Sequence, residues 1–82
     1  MALWWLSYHL LDRPFGVAII KASNLDHARM IAVIDGIDKN FTFAEGHKLD
    51  DEQAAMIKPG EMGRILFLPL AAEIQARFKQ QP

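Results

Sequence analysis

The chain reads as one small α+β domain. Three features of the 82 residues point there. An aromatic, alternating run opens the sequence (LWWLSYHLL, residues 3–11), and a second β-prone run (VAIIKA, residues 17–22) follows it at hairpin distance. Two stretches with capping residues and helical spacing come later, starting near Ser23 and Asp50. The length suits a single domain and is too short for two.

Residues 3–11 are the expected centre of the sheet. On a strand, Ala2, Trp4, Leu6, Tyr8 and Leu10 fall on one face, all apolar or aromatic. Leu3, Trp5, Ser7, His9 and Leu11 fall on the other, which is mixed. Trp, Tyr and the following Asp-Arg-Pro favour a strand over a helix. Residues 12–16 (DRPFG) carry the proline and glycine of a turn, so residues 3–22 form a hairpin. Ser23 is the expected N-cap of the first helix, with Asp26 as its capping-box partner. Gly36 supplies the left-handed C-cap. Leu25, Ala28, Ile31 or Ala32 and Asp35 make one stripe. Met30, Val33, Ile34 and Ile37 make the next, so the two together form one broad apolar face.

Residues 41–49 (FTFAEGHKL) follow as a third strand. Simple alternation puts Phe41, Phe43, Glu45 and His47 on one face, with Gly46 marking a bulge or the end of pairing. Asp50 caps a short helix to Ile57, closed by Gln53, and Lys58-Pro59-Gly60 ends it. Residues 65–68 (ILFL) are a candidate short fourth strand. Pro69 opens a last helix with Leu70, Ile74 and Phe78 as its apolar stripe, and residues 80–82 should fray. The order is β-β-α-β-α-(β)-α. A crossover from the second strand to the third makes those two parallel, so the mainly antiparallel sheet takes the order 2-1-3 with two to three packed helices. The first helix then covers the Trp4, Leu6, Tyr8 face. The last helix or a second subunit covers the other.

Composition narrows the function. Nine basic and ten acidic side chains give a net charge of −1, spread without blocks of like sign. That is unlike a nucleic-acid binder or an anionic-membrane binder. No cysteine is present, so disulfide and thiolate chemistry are absent, and a reducing compartment is favoured. The opening run has no basic residue before it and is broken by His9, Asp12 and Arg13, so it fits neither a signal peptide nor a membrane span. A soluble, cytoplasmic protein is the expectation.

Motifs that carry chemistry are weak. His9, His27 and His47 lack the spacing of a helical metal pair, and no metal or cofactor is expected. Calcium-loop spacing from Asp38 fails, because Phe43 and Leu49 stand where Gly and Glu are needed. Residues 60–64 (GEMGR) lack the Lys-Ser/Thr of a phosphate loop. Glu45 and His47, with Arg64 as an anion partner, form the best enzymatic or small-ligand grouping, although Glu and His two apart on a strand are common without catalysis. Trp5, Ser7 and His9 form the second candidate surface. An aromatic sheet face can stack single-stranded bases, yet only Lys21 and Lys48 stand near enough to hold phosphate.

Apolar residues make up 51% of the chain. A domain this short buries only about 60% of its unfolded surface. The surplus favours an apolar patch kept for a partner. The leading expectation is therefore a small interaction or accessory module acting by protein–protein association, in the simplest case as a homodimer. A ligand or enzymatic site at Glu45, His47 and Arg64, and base stacking on Trp5, are the alternatives.

Overall fold

The structure, a computed structural model, describes residues 1–37 and 39–79. The expectations for Asp38 and for residues 80–82 lie outside the described residues. Four strands, β1 (Ala2–Leu10), β2 (Arg13–Ala22), β3 (Thr42–Lys48) and β4 (Ile65–Phe67), form one antiparallel sheet in the order β3-β1-β2-β4. The helices are α1 (Leu25–Ile34), α2 (Asp51–Ala55) and α3 (Leu68–Lys79), with one 3-10 turn at Pro59–Glu61. This is the α+β class read from the sequence. The order 2-1-3 is present as its core, and the candidate fourth strand pairs with the free side of β2.

The hairpin turn lies earlier than residues 12–16. Leu11 and Asp12 take positive φ values of 51° and 63°, the requirement of a primed two-residue turn. Residues 13–16 instead belong to β2, and the irregularity expected of a turn is spent as a bulge. Tyr8 pairs with Gly16 and His9 with Pro14, leaving Phe15 as the extra residue. A second bulge interrupts β1–β3. Ser7 pairs with Glu45 and Tyr8 with Phe43, leaving Ala44 extra. This corrects the alternation expected of the third strand. Phe43 lies on the same face as Tyr8, whereas Glu45 and His47 lie on the opposite face with Ser7 and Trp5. Gly46 is not the bulge. A Cβ there would stand 2.7 Å from Leu25 Cδ1 and 2.9 Å from Leu6 Cδ2, so the missing side chain lets the start of α1 settle on the sheet.

Each sheet face carries its own core. On one, Leu6, Tyr8, Ala18, Ile20 and Ala22 pack under Ala28 and Ala32 of α1. On the other, Trp5, Val17 and Ile19 pack under Ala71 and Ile74 of α3, with Leu49 and Leu66 beside them. Fully burying one large aliphatic side chain contributes about 1.5–3 kcal/mol, and Leu6, Ile19, Leu66 and Ile74 are all essentially inaccessible. The N-cap of α1 is Asn24, not Ser23. Its side chain accepts from the His27 backbone N–H at 2.8 Å, while the Ser23 hydroxyl pairs with His27 Nδ1 at 2.9 Å. The Asp50–Gln53 capping box forms as read. In α3 the buried stripe is Ala71, Ile74 and the partly buried Phe78; Leu70 is 43% exposed.

One ion pair anchors the C-terminal half of α3. Arg77 donates two hydrogen bonds to the Glu61 carboxylate, at 2.9 and 3.0 Å, and a third to the Met56 carbonyl at 2.7 Å. The Arg77 guanidinium, helped by the Lys58 backbone N–H, holds the Glu61 carboxyl below its usual range. A carboxyl with a lowered folded-state pKa stabilises the fold above the unfolded-state value and loses that contribution as pH falls through the folded one. The wild type should therefore lose stability on acidification below about pH 4.5, near the ordinary carboxylate range. Glu61→Gln should cost about 1 kcal/mol near neutrality and flatten that part of the acid limb, as read by urea unfolding across pH. An acid limb unchanged by Glu61→Gln would contradict the assignment.

Candidate functional site

The two bulges define the first candidate surface. Both interrupt pairing to the same three residues, Ser7, Tyr8 and His9, one from each neighbouring strand. Bulges re-aim side chains and end close pairing, and they concentrate beside functional sites. Here they flank a groove of about 660 Å³ on the α3 face of the sheet. The groove exists because α3 packs mainly on β2 and β4 and reaches β1 chiefly at Trp5. Its helical wall is thin, made partly by Ala71 and Ala72. Ser7, His9, Glu45 and Gln75 supply polar groups over an otherwise mainly apolar lining.

Four of the six residues singled out from the sequence thus meet in one place. Trp5, Ser7, His9 and Glu45 all line this groove. His47 and Arg64 do not. His47 stacks on the far side of Trp5, with ring centroids 6.4 Å apart and planes at 24°, and lines a smaller cavity of about 320 Å³ with Gln53 and Lys79. Arg64 stands just before β4, at the opposite sheet edge from β3. Three strand spacings separate those edges, about 14 Å. Glu45, His47 and Arg64 therefore do not converge, and the acid–base grouping lacks the shared cleft that proton transfer needs.

Trp5 is a core residue as well as a groove wall. It is 3% exposed, and its ring meets Phe78 edge-on at 5.9 Å. A ring held that way offers no open face for base stacking. The tyrosine and phenylalanines of the other face are likewise engaged. Tyr8 meets Phe43 edge-on, and Arg29 sits 4.1 Å above the Phe43 ring. Among the described residues, no group of three His, Cys, Asp or Glu is placed to hold a metal ion. No helix among them is long and apolar enough to cross a membrane.

Another candidate surface is the outer side of α1, half of what the sequence presents as one broad apolar face. Met30, Val33 and Ile34 of α1 are 59%, 62% and 74% exposed. At 100° per residue, Ala28 and Ala32 face the sheet, Met30 points directly away, and Val33 and Ile34 flank it. The polar residues Asp26 and His27 occupy the same outer side only in the first turn. Beyond Arg29 the last turn, Met30 to Ile34, is apolar on every side, the pattern of a helix covered all round. The signal that could have found this stripe was its neighbour. Two alanines at helical spacing mark the side that approaches a sheet closely, which leaves the larger side chains outward. No known protein family, curated protein or solved structure matches the chain.

Proposed function

We propose that the protein is a small association module that pairs with a second copy of itself through the outer face of α1. The observation that carries this reading is the exposed stripe Met30, Val33, Ile34 on a helix whose other side is already seated in the core. Contiguous exposed apolar surface of this kind is the usual mark of an interface. A second copy is the favoured occupant for two reasons. The stripe carries no charge of its own, and the net charge of −1 sets up little repulsion between copies. A two-fold axis crossing the helix at residue 32 sets Met30 of each copy level with Ile34 of the other, a self-complementary arrangement.

Light scattering over a concentration series tests the reading. The wild type should move from monomer to dimer mass as concentration rises. Ile34→Glu, at an exposed position, should keep its fold by circular dichroism and remain a monomer, with association weakened at least about tenfold by charges desolvated at the interface. A wild type that stays monomeric throughout, or an Ile34→Glu protein that dimerises as well as the wild type, would overturn it.

A further inference from the structure

We infer that the groove beside Ser7, His9 and Glu45 is a binding site for a small organic amine, a molecule with an apolar body and a protonated amino group. The site lies on the opposite side of the sheet from the α1 stripe and stands independently of the association reading.

The volume comes first. About 660 Å³ lies within the 300–1,000 Å³ range of small-molecule sites, and the half-open shape gives an entry path. The chemistry of the lining comes second. Apolar groups from Val17, Leu68 and Ala72 form much of the surface. Convergent polar groups stand on the β1–β3 side, where Ser7 and Glu45 are direct cross-strand neighbours. The side chains of Ser7, His9 and Glu45 have no hydrogen-bond or ion-pair partner among the described residues, so their capacity is free for a ligand.

Charge selects the ligand class. Among the described residues, Glu45 is the one carboxylate in the lining, and none of the lining residues is a lysine or arginine. An anionic ligand would meet repulsion there without compensation. A protonated amine would donate a charge-assisted hydrogen bond to the Glu45 carboxylate and a second to the Ser7 hydroxyl, while its apolar body lies along α3. The two bulges give the arrangement its geometry. The Ala44 bulge puts Glu45 on the Ser7 face while Phe43 stays on the Tyr8 face beneath α1; regular alternation would have put both on one face. The Phe15 bulge shifts the register so that Pro14, not Phe15, stands opposite His9 at the groove's far end.

Phenethylammonium chloride is the probe, titrated into the ¹⁵N-labelled chain, with phenylacetate as its anionic counterpart. Saturable shifts at Ser7, Glu45 and Gln75 amides are expected with the amine and not with the acid. Glu45→Gln, at an exposed position, should weaken the amine about five- to tenfold, the worth of one charge-assisted hydrogen bond. Ala72→Phe should fill the groove and abolish binding. Ile34→Glu should bind as the wild type does, which separates this site from the association face. Absence of saturable shifts with the amine, equal binding of phenylacetate, or full binding by Glu45→Gln would each overturn the inference.

Discussion

Replacing Gly16 by alanine should cost about 2–3 kcal/mol and loosen β4 from the sheet. The reason is a backbone contact. A Cβ at Gly16 would stand 2.7 Å from the Leu66 carbonyl oxygen and 3.2 Å from Ile65 Cγ2. A side-chain tip could swing away, but a carbonyl in a strand cannot, so β4 must retreat as a unit. Overpacking of this kind costs about 1–3 kcal/mol in a close-packed site, and a three-residue strand has few ladder bonds with which to resist. The retreat would also draw Leu66 out of the α3-side core, where it is 1% exposed, adding to the loss. The urea midpoint should fall, and the β4 amides should exchange faster than those of the β1–β2 pair. An unchanged midpoint with protected β4 amides would contradict the packing described for this edge.

Leu6→Ala and Ile74→Ala should each cost about 2–5 kcal/mol, and their costs should add. Leu6 is fully buried beneath α1, and Ile74 is 1% exposed beneath α3. They belong to different clusters separated by the sheet, so neither can collapse into the other's cavity. A chain of this length has a total stability of about 4–12 kcal/mol, so the double substitution should leave it largely unfolded at room temperature. Urea unfolding of the two single variants gives the answer. A loss below about 1 kcal/mol for Ile74→Ala would mean that α3 is not seated on the sheet, and the groove would then lose its wall.

The hairpin, the strand order and the helix positions were legible because they follow from local pattern. The aromatic alternation of residues 3–11 marks the central strand, and the Asp50–Gln53 box is a spacing rule with one reading. What the sequence concealed depends on partners. Whether Phe43 and Glu45 share a face turns on a bulge, and a bulge is a property of two strands in register, not of one run of residues. The Asn24 cap was displaced by one residue because Ser23 is an equally good capping type and is drawn instead to His27. In α1 both stripes are apolar, so only the sheet's preference for the small Ala28 and Ala32 decides which is buried. The candidate groove was half legible. Trp5, Ser7 and His9 were visible as the odd face of β1, and Glu45 only as a partner of His47 and Arg64; nothing in the sequence says that α3 would lie over β2 and leave that face partly open beside Glu45.

The central claim is that two copies meet through the outer face of α1. The most direct measurement is an isotope-filtered NOE experiment on a mixture of labelled and unlabelled chains at high concentration. Contacts between copies should join the methyl groups of Met30, Val33 and Ile34. Contacts that instead join β3 edges or the groove residues, or no contacts between copies at all, would contradict it.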